Sequence, residues 1–115
     1  FELPYLSINK NSRTILIDDD ELVRTTWLLK AKRQGIDFLT FKNPEELLSN
    51  FSNLDKSDCF YTDSEFSNSK IKGQELACEL NQIGFENIYL TTGYSPDEFK
   101  QYQFLKGVRT KAPPF

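Results

Sequence analysis

Histidine is absent from this 115-residue chain. Its absence removes a histidine general base, His-ligated zinc and a phosphohistidine donor within the segment. Cysteine is scarce: Cys59 and Cys78 are the two present, too few for the disulfide framework of a small secreted scaffold. Both sit within apolar patterning, where buried reduced thiols are expected. No apolar run approaches the roughly 20 residues that span a bilayer. The opening residues 1–4 (FELP) lack the basic start and apolar centre of a signal peptide, so a cytoplasmic location without membrane contact is expected. Positive charge is in slight deficit, 14 Lys and Arg against 17 Asp and Glu, a net charge of −3. That balance argues against a dedicated nucleic-acid surface. Any chemistry is left to carboxylates, hydroxyls and amines.

What is present alternates between short apolar strands and helical segments. Residues 14–17 (TILI) read as a strand that runs into Asp18-Asp19-Asp20. Residues 21–34 are strong helix formers, with Gly35 as the stop. Residues 37–41 (DFLTF) form a second strand. Asn43, Pro44 and Glu46 then supply an N-cap, a first-turn proline and a capping-box acid for a helix expected to reach about Phe51. Residues 59–62 (CFYT) make a third strand ending in Asp63, and the serine-rich stretch 64–72 is a loop. In the helix expected over 74–83, Leu76, Ala77, Leu80 and Ile83 share one face. Residues 88–91 (IYLT) form a fourth strand, Ser95-Pro96-Asp97-Glu98 opens a short helix, and 107–110 (GVRT) is a fifth strand before Lys111. Such alternation predicts an α/β domain over 14–115, a doubly wound parallel sheet with helices on both faces. Residues 1–13 stand apart as an extension or linker, and the chain stops where a fifth helix would be expected.

In an open α/β sheet, ligands bind beyond the carboxyl ends of the strands. Polar residues fall at four such ends: Asp18 and Asp19, Asp63, Thr92, and Lys111. A lone Asp after a strand is commonly a helix cap, and Asp20 reads as one. Together at matching strand ends the residues point to a site. Two carboxylates about 4 Å apart repel by about 4 kcal/mol at an effective dielectric near 20. Three need a cation, and an all-oxygen site suits Mg²⁺. Lys111 adds a positive charge suited to a phosphoryl oxygen.

With those residues in place, the chain resembles the response-regulator receiver family of two-component signalling. The matching segments are ILIDDDELVR (15–24), CFYTD (59–63), YLTTGYS (89–95) and VRTK (108–111). The resemblance implies a flavodoxin-like five-stranded parallel sheet of order 2-1-3-4-5. It implies that Asp63 accepts a phosphoryl group from the phosphohistidine of a histidine kinase or histidine phosphotransfer protein. Asp18, Asp19 and Asp63, with the backbone carbonyl of Glu65, would hold Mg²⁺. Thr92, rather than Thr91, and Lys111 would contact the phosphoryl group, and Glu65 and Tyr94 would set its lifetime. Four departures stand out. The loop after Asp63 lacks a Met-Pro element and reaches Gly73 late; Ala112 precedes Pro113; the segment before the fifth strand is short; and Val108 occupies the position of a switching aromatic. Residues 1–6 (FELPYL) look like the end of a histidine-kinase ATP-binding domain, which would make this the C-terminal receiver of a hybrid kinase.

Two other functions fit parts of the pattern. One is a receiver-like module that binds a protein partner without phosphorylation. The other is a small phosphatase of the haloacid-dehalogenase type, using Asp18-Asp19-Asp20 as an Asp-x-Asp pair. Leu22 stands where that family wants Thr or Val, and Asp63 would have no role there.

Overall fold

The β-branched, apolar run Thr14–Ile17 forms strand β1 at the heart of a parallel sheet. In the computed structural model, which describes residues 12–115, β1 pairs with β2 (Phe38–Phe41) on one side and β3 (Cys59–Asp63) on the other. Strand β3 pairs with β4 (Ile88–Thr91), and β4 with β5 (Gly107–Arg109). The order β2-β1-β3-β4-β5 is the expected flavodoxin-like one. The kinase-like reading of residues 1–6 lies outside the described residues, as does most of the 1–13 extension.

Helix α1 (Glu21–Gln34) starts where the Asp20 side chain accepts the Leu22 N–H, and it ends at Gly35, whose φ of 67° few other residues tolerate. Helix α2 (Pro44–Ser49) uses the expected cap: Asn43 Oδ1 accepts from Glu46 N, while the Glu46 carboxylate accepts from Lys42 N. It stops at Ser49, short of the expected Phe51, and Phe51–Asn53 form a separate 3₁₀ turn. Helix α3 (Gly73–Ile83) ends at Gly84, again with positive φ. No helix among the described residues is long and apolar enough to cross a membrane.

Helices α2 and α3 cover one face of the sheet, where Leu47, Leu76, Ala77 and Leu80 pack on Ile15, Ile17, Phe60 and Ile88. Ile83 does not join them. It is 45% exposed, so the inner face of α3 ends at Leu80. Helix α1 covers part of the opposite face through Trp27, which packs with Leu16 and Tyr61. Cys59 and Cys78 are free thiols, partly rather than fully buried.

Between β4 and β5 the chain makes only a 3₁₀ turn, Pro96–Phe99, capped by the Ser95 hydroxyl. No helix follows β5 among the described residues. Aromatic side chains cover the α1 side of β3, β4 and β5 instead. Tyr61 and Tyr89 stack with centroids 4.7 Å apart and planes within 10°. The Tyr89 ring lies over Gly107, where an added Cβ would come within 3.3 Å of it. Phe115 folds back edge-on to both Trp27 and Phe38.

Candidate functional site

Strand register brings the acids together. Ile17 stands opposite Thr62, so the next residues, Asp18 and Asp63, emerge side by side from neighbouring strands. Asp63 is in turn opposite Thr91, and Thr91 opposite Arg109, which places Thr92 and Lys111 just beyond the same sheet edge. Carboxylate oxygens of Asp18, Asp19 and Asp63 all lie within 4.8 Å of one another. Lys111 Nζ donates to Asp63 Oδ2 at 2.9 Å and stands 3.3 Å from Asp18 Oδ2. Four expected site residues and Thr92 thus converge, from four different strand ends.

Burial sets the electrostatics. Asp18 is wholly buried and Asp63 nearly so. Loss of solvent pushes the Asp63 carboxyl up to about 6, against the opposing pull of Lys111 and with the Asp18 charge adding to the rise. Burial raises Asp18 as well, partly offset by the Asp20 N–H and by Lys111. Burial works against the Lys111 charge too, yet its contacts with Asp63 and Asp18 outweigh this and hold it above its ordinary value. At Asp19 the order reverses: hydrogen bonds from Ser67 N (2.7 Å) and Oγ (2.6 Å) to one carboxylate oxygen overcome desolvation and hold it low. One ammonium against three carboxylates leaves the pocket anionic. Asp18 Oδ2 is buried without a hydrogen bond, although it faces the Lys111 charge. This donor set of hard oxygens fits a divalent cation.

A cavity of about 610 Å³ opens over Asp63, lined by Asp19, Glu65, Ser67, Thr92, Tyr94 and Lys111 among others. Thr92 Oγ1 accepts hydrogen bonds from Ser64 Oγ (2.9 Å) and Tyr94 N (3.1 Å). With both acceptor positions taken, its own O–H is the group left free to donate into the cavity. Thr91 lies within the strand and is fully buried, as expected. The Glu65 carboxylate accepts from Tyr94 Oη at 2.5 Å, and both residues line the cavity.

Several residues that shape the site escaped sequence reasoning. Ser64 orients Thr92 and Ser67 fixes Asp19, but both looked like generic loop serines. Gly73, noted only as a late glycine, is indispensable: a Cβ there would fall 1.5 Å from the Asp63 carbonyl oxygen. Its N–H also donates to Ser64 O at 3.0 Å. The signal was its position at the end of the loop, just before the helix pattern. Trp27 Nε1 donates to Lys111 O at 2.9 Å, a contact across 84 positions that no local pattern announces.

No family model and no curated protein matches the chain. Solved structures do. The response regulator TrrA of Thermotoga maritima, solved in complex with Mg²⁺ and BeF, superposes with a TM-score of 0.74 at 24% identity over 90% of each chain. A chemotaxis response regulator of Vibrio cholerae matches with a TM-score of 0.70 and 20% identity, over 90% of this chain and 88% of the other. A receiver domain from Clostridium thermocellum gives 0.73 and 18%, over 90% and 83%. Strand order, helix placement and these superpositions agree that the chain has the fold of response-regulator receiver domains.

Proposed function

We propose that residues 14–115 form a phospho-accepting receiver domain, with Asp63 as the acceptor. The observation that carries this is a nearly buried carboxylate at the floor of an open cavity, touching a lysine and crowded by two further acids. An Asp63 oxygen attacks phosphorus, the bond from phosphorus to the donor's imidazole nitrogen breaks, and the imidazole leaves. Lys111 is positioned to move its ammonium from Asp63 Oδ2 to a phosphoryl oxygen, and the Thr92 hydroxyl to donate to another. Asp18, Asp19 and Asp63, with the Glu65 carbonyl, would hold Mg²⁺. The ion would offset the negative charge of the acids and of the incoming phosphoryl group. The donor class is the phosphohistidine of a histidine kinase or phosphotransfer protein, and residues 1–6 fit an ordinary N-terminal extension as well as a hybrid-kinase setting.

The phosphatase reading loses support because Asp20, its second acid, is engaged on the Leu22 N–H at the start of α1. Acetyl phosphate with Mg²⁺ tests the proposal. Intact mass should show one added phosphoryl group, absent after chelation and absent in Asp63→Asn. An unmodified protein under these conditions, with beryllium fluoride also without spectral effect, would leave the module that binds partners without phosphorylation.

A further inference from the structure

We infer that Trp27 is a positioning residue for Lys111, holding that residue's main chain so that its ammonium reaches Asp63. The inference rests on the proposed role of Lys111 in phosphoryl transfer. Lysine is a long, flexible side chain carrying a point charge, so where its ammonium stands depends on how firmly its own backbone is fixed. After β5, residues 110–115 belong to no helix or strand. Among the described residues, the hydrogen bonds that hold this stretch, other than those of the Lys111 ammonium, are a long, exposed one from Ala112 N to Thr110 Oγ1 at 3.4 Å and the one from Trp27 Nε1 to Lys111 O at 2.9 Å. The second is anchored in the core. Trp27 is the single tryptophan of the chain and is wholly buried. Its ring is gripped edge-on by Tyr61 at 5.3 Å and by Phe115 at 5.9 Å. A buried indole N–H has no water to turn to, so the carbonyl of Lys111 becomes its fixed partner. Phe115, four residues on, closes the other end of the segment against the same ring. The α1 side of the core is thereby connected directly to the residue that neutralises Asp63.

The test compares the unaltered domain with Trp27→Phe, and with a second variant in which benzothiophene replaces the Trp27 indole. The second keeps the ring's shape and loses only the N–H. Each is exposed to N-hydroxysuccinimidyl acetate without metal, and acetylation of every lysine is followed by mass spectrometry. Lys111 is expected to react roughly fivefold faster in both variants, the scale of one lost hydrogen bond. Lys56, whose ammonium donates to Ile83 O far from the site, should keep its rate. Unchanged Lys111 reactivity in the benzothiophene variant overturns the inference. So does an equal rise at Lys56, which would mean general loosening. A second arm measures phosphorylation from acetyl phosphate in a double-mutant cycle. Trp27→Phe should slow the reaction when Lys111 is present and add no further loss in Lys111→Ala; the same loss in both backgrounds overturns it. If the unaltered domain takes up no phosphoryl group while the acetylation pattern appears, the receiver reading fails and the positioning contact stands.

Discussion

Asp63 is held in an environment that disfavours its own charge, and this has a consequence for stability. Its folded pKa, pushed up to about 6 chiefly by burial, lies above the unfolded value near 3.9. Between those values the folded state binds more protons than the unfolded one. The group therefore favours folding below about pH 4, and that contribution is lost as pH rises through 6. Asp63→Asn should stabilise the metal-free domain at pH 7 by about 1 kcal/mol, after allowance for the lost Lys111 contact. The gain should vanish at pH 4 and below. Urea midpoints of both proteins at the two pH values measure this, and an Asn variant less stable at pH 7 would contradict it. Tyr94 carries a second prediction. Its hydroxyl closes on Glu65 beside the cavity, so Tyr94→Ala should open a path for water. The phosphoryl group on Asp63 should then decay roughly threefold faster or more, a rate read by the return of the unmodified mass. An unchanged rate removes Tyr94 from the control of lifetime.

At the level of elements, the junction of β3 with α3 is the tightest constraint. The first residue of α3 passes against the Asp63 carbonyl, and only a glycine fits there. Gly73→Ala should destabilise the domain by more than about 2 kcal/mol through forced displacement of backbone, and urea unfolding without Mg²⁺ would show it. A smaller loss would mean that the helix start can shift freely. The other junctions show what the sequence could and could not tell. Strands β1, β3 and β4 were legible because short apolar runs ended abruptly in polar residues, and α1 because Asp20 and Gly35 bracket it. The end of α2 was misjudged: Ser49 Oγ and the Asn50 side chain both turn back to Glu46 O and close the last turn early. Ile83 carried the right spacing, yet Gly84 ends the helix there and leaves it exposed. The acids could be inferred from strand ends, since register alone aligns them. The contacts of Ser64, Ser67 and Trp27 depend on loop paths that no periodicity encodes.

For the molecule as a whole, cation binding and folding should be coupled. The three acids are brought together by the native sheet, so a divalent ion held by them would favour the folded state over the unfolded one. Mg²⁺ at 100 times its Kd should add about 2.7 kcal/mol, seen as a rise in Tm of several degrees that chelator reverses. Asp18→Asn should lose most of that increment, and an equal rise in the variant would place the ion elsewhere. The pairing of β1 with β3 gives this coupling a further use. Adjacent strand residues are about 3.3 Å apart along the chain, and a slip of two residues preserves which side chains face inward. It would still shift Asp63 by about 6.6 Å along the strand relative to Asp18, too far for Lys111 to hold both as it does in the native register. The slip would replace all four pairings of β1 with β3, and it would also dismantle the acid cluster that an ion would bind. An ion held by these acids would therefore widen the gap between the native strand alignment and a slipped one, because its ligands converge in the native register.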